Sequence, residues 1–252
     1  MTKPKLYIIG VNHFYQQPIE MVLLRKGGVG LADGPFYANL FSIKEDTDTA
    51  SNHFLEMFFR LTGKFLTYTT DLIIREGVGL VFEEGFAESE DKEDNSMIKK
   101  AIDWKFTRIS TALPQCIQIE PNIKERENIN GNDYSMNESW CFSKEKTEEV
   151  LNWRENRWVE VIEKNVNNID IPQKSILLIA GYCHLDGVFS YKNLDIDKEV
   201  FFSLKEPLAE KLLKAGFNKI VKINEKDLWE NLDLEYWNYR KAKNDQRVFE
   251  TS

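Results

Sequence analysis

The stretch Ser175-Ile176-Leu177-Leu178-Ile179-Ala180 constrains the fold more than any other part of this chain. After its serine it has no polar residue, so a strand built from it buries both faces. A sheet with one wet face would show polar residues at alternate positions instead. Lys5-Leu6-Tyr7-Ile8-Ile9-Gly10, Gly77-Val78-Gly79-Leu80-Val81-Phe82 and Cys116-Ile117-Gln118-Ile119-Glu120 repeat the pattern more weakly and read as further strands.

The segments between these strands carry helical periodicity. Phe54, Met57, Phe58, Leu61, Phe65, Leu66, Leu72 and Ile73 recur at spacings near three and four. They predict a helix over 53–75, or two helices broken near Thr67–Thr70. A second helix is expected over 96–107. A long one begins behind a Ser143 cap, carries Val150, Leu151, Trp158, Val161 and Ile162, and runs to about Val166. Later come a strand at 199–202, a helix over 207–215 stopped by Gly216, and a strand at 219–223. Strands alternating with helices predict an α/β fold, with a central, mostly parallel sheet flanked by helices and a site at the C-terminal ends of the strands. The 252 residues contain no Pro/Gly-rich linker and no repeat, so they read as a single domain 1–252, with the tail from about 228 to 252 as an appended helical segment.

The net charge of -8 argues against broad binding to nucleic acid, which needs a basic surface to release counterions. No segment has the continuous apolar length of a membrane span, and the first residues lack the pattern of a secretory signal. Cys116, Cys141 and Cys183 are odd in number and form no C-x-x-C pair. Reduced thiols in a cytoplasmic protein fit best.

Two of the three histidines share one arrangement. Ile8-Ile9-Gly10-Val11-Asn12-His13 and Ile179-Ala180-Gly181-Tyr182-Cys183-His184 are each an apolar strand, a glycine, two residues and a histidine. The glycine would allow a sharp turn out of the sheet, leaving the histidine beyond the strand end. There, ligands of parallel sheets bind. Glu83 and Glu84 close another apolar strand at the same edge, and they point to opposite sides because side chains alternate along a strand. His13, Glu83 and His184 are thus candidate ligands for a divalent metal ion, which would generate hydroxide from bound water. Without metal, a histidine can act as general base. His53 opens a predicted helix and reads as surface or structural.

Arg154 lies four residues before Trp158, on the same helix face. With Trp158 in the core, Arg154 approaches the buried side and needs a carboxylate or a ligand. It is a candidate to hold substrate or to stabilise developing charge. Glu120, at a strand end, Arg126 soon after it, and Arg157 are candidates for substrate binding. Cys183 adjoins His184, but neighbouring loop residues usually point apart, which is poor geometry for proton transfer. Gly27-Gly28-Val29-Gly30 lacks the strand and the Lys-Ser/Thr of a phosphate loop.

These pieces in this order resemble the TraB/TIKI superfamily, related to erythromycin esterase-like and ChaN-like proteins. The matching residues are Gly10 to His13, Phe82-Glu83-Glu84, Arg154-Glu155-Asn156-Arg157-Trp158, Gly181-Tyr182-Cys183-His184-Leu185, and the helix, Ala-Gly-Phe turn and strand of 212–223. The resemblance implies an α/β fold with a polar site at strand ends. It implies His13, Glu83 and His184 as site residues, with Arg154 as the family's arginine; Glu84 or Glu120 would assist. The implied activity is a metal-assisted hydrolase, or one using a histidine as general base, acting on an ester or peptide bond of a small molecule or peptide. Haem or ligand binding without turnover is the alternative, as is an interaction module using the aromatic tail from Trp229 to Tyr239. The residues 192–200 look like an insertion relative to the family.

Overall fold

The computed structural model describes residues 3–11, 63–84, 97–109, 113–120, 143–167, 175–193, 198–223 and 248–249. The central sheet contains β1 (Lys5–Val11), β2 (Val78–Glu83), β3 (Gln115–Gln118), β4 (Ser175–Gly181) and β7 (Ile220–Ile223). Their order is β3-β2-β4-β1-β7, and every neighbouring pair is parallel. The α/β fold with a parallel sheet is therefore present as expected. The strand with no polar interior, β4, is the middle one, and all seven of its residues are buried.

Parallel strands need crossovers, and helices supply them. Helix α1 (63–76) precedes β2, α2 (Met97–Ile109) precedes β3, and α3 (Lys144–Asn167) precedes β4. After β4 come α4 (Tyr182–Asp186), the antiparallel pair β5 (Val188–Asn193) and β6 (Lys198–Ser203), α5 (Leu208–Lys214) and β7. The chain moves one way along the sheet from β1 to β2 to β3, and the other way from β3 to β4 to β7. Right-handed crossovers then place α1 and α2 on one face and α3 and α5 on the other. An ion pair between Lys105 and Asp71 joins the first two helices. A buried bond from Lys211 to Glu155 joins the second two.

Alternation along the strands sorts the core. Leu6, Ile8, Leu80, Phe82, Ile176, Leu178 and Ala180 share one cluster with Trp158, Ile162, Leu208 and Leu212. Tyr7, Ile9, Val81, Leu177 and Ile179 occupy the alternate positions and are buried as well. Among the described residues no helix is long and apolar enough to cross a membrane.

Three expectations concern local structure. The helix over 63–76 is continuous through Thr67–Thr70, the first of the two alternatives expected there. The threonine hydroxyls donate within the helix, Thr67 to the Gly63 carbonyl and Thr70 to those of Leu66 and Thr67, so they do not compete with it. Of the residues 192–200, Lys192 and Asn193 end β5 and 198–200 begin β6, while 194–197 lie outside the described residues. The tail contributes β8 (Val248–Phe249), a short strand parallel to β6, where a helix was expected; the rest of it lies outside the described residues. The Ser143 cap is present: its hydroxyl accepts from the Lys146 backbone N–H at 3.2 Å.

Candidate functional site

Three strand ends carry the polar residues. Glu84 follows β2 by one residue, Glu120 follows β3 by two, and His184 follows β4 by three, inside α4. Arg154 and Glu155 reach them from α3, and Lys211 from α5. All six approach one another on the sheet face that packs against α3.

Period-two alternation decides between the paired glutamates. Leu80 and Phe82 face α3, so Glu84 does too, and Glu83 faces the other way. Glu83 accepts a hydrogen bond from the Gln118 amide at 2.8 Å. Glu84 is held on several sides. Its backbone N–H donates to the Ile179 carbonyl at 2.9 Å, and its Oε2 accepts the Gly181 N–H at 2.7 Å. Its Oε1 accepts from Arg154 Nη2 at 2.7 Å. The same Arg154 nitrogen reaches Glu120 Oε2 at 2.9 Å. The arginine expected to need a carboxylate thus meets two. Burial opposes its charge, but the charges of Glu120 and Glu84 outweigh burial, and the guanidinium stays ionised.

His184 is only 2% exposed. Its ring lies between Trp158, at 4.5 Å between centroids, and the edge-on ring of Phe189, at 4.9 Å. Nδ1 is 2.8 Å from Glu155 Oε1, and Nε2 is 3.5 Å from Glu84 Oε1. The first is a strong hydrogen bond and the second a looser ion pair. Burial alone would push the imidazole down. The Glu84 charge, then the bonds from Glu155 and Glu84, overcome burial and push it up to about 9. His184 is therefore an imidazolium at neutral pH, donating from Nδ1 to Glu155.

Glu155 also binds Lys211 Nζ through Oε2 at 2.7 Å. The result is one continuous chain, Glu120–Arg154–Glu84–His184–Glu155–Lys211, with three carboxylates and three cations. Among the described residues, its charges balance only while His184 is protonated.

Glu155 and Lys211 were not singled out from the sequence, although a signal was there. Leu151, Glu155, Trp158 and Ile162 are spaced four, three and four, which puts the glutamate inside the apolar stripe of α3. Lys211 lies three residues after Leu208 and one before Leu212, within the stripe of α5. A charged residue at such a position requires a buried partner of opposite sign.

Arg157 does not join the cluster. It is on the exposed side of α3, with an Nη1 bond to Glu160 at 3.0 Å. His13, His53 and Arg126 lie outside the described residues, as do Cys141 and the 27–30 glycines. The Cys183 thiol, raised to about 12 by burial and then by the Glu84 charge, stays protonated at neutral pH and is no nucleophile.

The reason expected for the second glycine also changes. Gly181 has φ -55° and ψ 141°, a backbone shape open to any residue. The glycine that the turn does require is Gly187, which ends α4 at φ 68°. A Cβ there would sit 2.7 Å from Cβ of Pro207. Replacing Gly187 with alanine is expected to cost about 2 kcal/mol, by left-handed strain and overpacking together. Urea unfolding would measure this, and a change under about 0.5 kcal/mol would contradict it.

Among the described residues no group of three or more His, Cys, Asp or Glu side chains is arranged to hold a metal ion. Nδ1 of His184 is committed to Glu155, Glu84 to Arg154, and Glu83 faces away from both. A cation placed here would also meet Arg154 and a charged imidazole. His13, one of the three ligands expected from the sequence, lies outside the described residues.

The chain matches no protein-family model, no curated protein and no solved structure. Its geometry is therefore the ground for any functional reading.

Proposed function

We propose that this chain is a hydrolase of an ester or peptide bond, with a proton-handling centre at the strand ends around His184. One observation carries the reading: a buried imidazole is held between two carboxylates, Glu155 at 2.8 Å and Glu84 at 3.5 Å, just past the end of a central parallel strand. Such a group is charged at neutral pH and is suited to stabilise a developing oxyanion or to protonate a leaving group. It is not suited to take a proton from water.

The base in this proposal is His13. Strands β1 and β4 are parallel neighbours, with Gly10 opposite Ala180 and Val11 opposite Gly181. His13 lies two residues past Val11 in the sequence. In this proposal His13 and His184 divide the roles of base and acid. Arg154 holds Glu84 and Glu120 in place. No step is assigned to a metal ion. The resemblance to the TraB/TIKI superfamily supports the same reading, and a cytoplasmic setting belongs with it.

The test is turnover of a panel of nitrophenyl esters and fluorogenic peptides. His184→Gln and His13→Ala are each expected to lower kcat by about a hundredfold on whichever substrate is cleaved, with the fold intact by circular dichroism. Unchanged turnover in folded His184→Gln would remove the proposed centre. A second reading, ligand binding without turnover, draws on the near-complete burial of Glu155 and His184 and their neutralisation by protein charges. It predicts no cleavage by the wild type and, for haem, a visible absorption band on addition that weakens in His184→Gln.

A further inference from the structure

Lys211 stands on α5, away from every strand end, yet its ammonium is buried beside α3. Nζ donates to Glu155 Oε2 at 2.7 Å and to Asn152 Oδ1 at 2.9 Å. Leu208 and Leu212, on the same helix, are in the core, so water offers this ammonium little. A buried charge of this kind needs paired oxygens, and α3 presents two of them one turn apart.

The carboxylate of Glu155 is the link to the centre. The terminal torsion of a glutamate is soft and roughly two-fold, so nothing intrinsic selects which oxygen faces which partner. Here one oxygen is fixed by Lys211 and the other is thereby turned onto Nδ1 of His184. Fixing Nδ1 as a donor fixes the ring: its other nitrogen then faces Glu84.

We infer that Lys211 is a positioning residue for His184, acting through Glu155: by holding one carboxylate oxygen it keeps the other aligned on Nδ1. Its importance for turnover rests on the hydrolase reading. The alignment itself does not, and it is tested without turnover.

The test observes the Nδ1–H proton of His184 by NMR in the full chain. With only three histidines, the resonance is assigned by its loss in His184→Gln. The wild type is expected to show a downfield proton protected from exchange with water. Lys211→Met is expected to raise its exchange rate by about tenfold or more, as a buried hydrogen bond loses its alignment. Lys211→Arg, which keeps a charged donor, is expected to restore protection. Where Lys211→Met does not fold, Lys211→Gln replaces it, with the same loss expected. A purely structural lysine would lower the melting temperature of these variants and leave the proton protected, which would overturn the inference. So would the absence of a protected Nδ1–H in the wild type. Failure of either test leaves the other standing, because one follows cleavage and the other follows a single proton.

Discussion

Replacing Arg154 with methionine is expected to destabilise the fold by about 3–5 kcal/mol, the largest effect of any single change at the strand ends. The guanidinium bonds both Glu84 Oε1 and Glu120 Oε2, at 2.7 and 2.9 Å, and both carboxylates are 2–3% exposed. Methionine fills most of the volume, so a cavity contributes little. The cost comes from removing the positive charge that both buried carboxylates face, in a place with little water to replace it. At 2–4 °C per kcal/mol for a chain approaching this size, the melting temperature falls by roughly 10 °C. Adding Glu84→Gln and Glu120→Gln to Arg154→Met should recover part of the loss, because removing a whole buried set of charges is far milder than removing one member. A melting temperature within about 2 °C of wild type for Arg154→Met alone would mean that water reaches these carboxylates.

The second large effect is a loss of stability with rising pH. His184 has its folded value pushed up to about 9 from 6.5. At about 1.4 kcal/mol per unit, that difference is worth about 3 kcal/mol. A raised value means that the folded state binds the proton more tightly than the unfolded chain does. The contribution is therefore fully present below about pH 6.5 and is lost as pH rises through about 9. Physically, a neutral imidazole leaves three carboxylates, Glu84, Glu120 and Glu155, facing two cations, Arg154 and Lys211. The Cys183 thiol, raised to about 12, lowers stability too, but only above the ordinary thiol value of 9, so the two effects separate. Urea unfolding between pH 6 and 9 would show the decline in the wild type, and His184→Gln would lack it. A flat wild-type profile over that range would refute a charged, buried His184.

Much of the fold was legible because its signals are local. The unbroken apolar run of Ser175–Ala180 requires burial on both faces, and β4 is indeed the middle strand of five. The Arg154–Trp158 spacing places an arginine against the core, and it is found there with two glutamates. Helix starts were legible where one side chain performs the capping, as Ser143 does. Whether the helix broke at Thr67–Thr70 stayed open in the sequence because threonine's low helix preference is a tendency, which packing and hydroxyl bonds within the helix override.

The cluster around His184 was legible only in part. Two consecutive glutamates at a strand end are indistinguishable by type, and alternation states only that they diverge. Which of them meets His184 depends on which face α3 covers, and that follows from strand order and crossover hand. The marks of Glu155 and Lys211 were local, since each interrupts an apolar stripe. Their pairing was not, since it joins residues 56 positions apart.

The sequence by itself determined that there would be buried parallel strands, helices between them, and charged groups forced toward the core at Arg154, Glu155 and Lys211. These follow from periodicities of two and near four, which any stretch of chain displays on its own. Only the tertiary structure decided that Glu84 rather than Glu83 turns to His184, and that six charges from three strand ends and two helices close into one balanced chain. Partnership between distant groups is set by the order and hand in which strands assemble, and a one-residue change of register would exchange every partner for its neighbour on the opposite face.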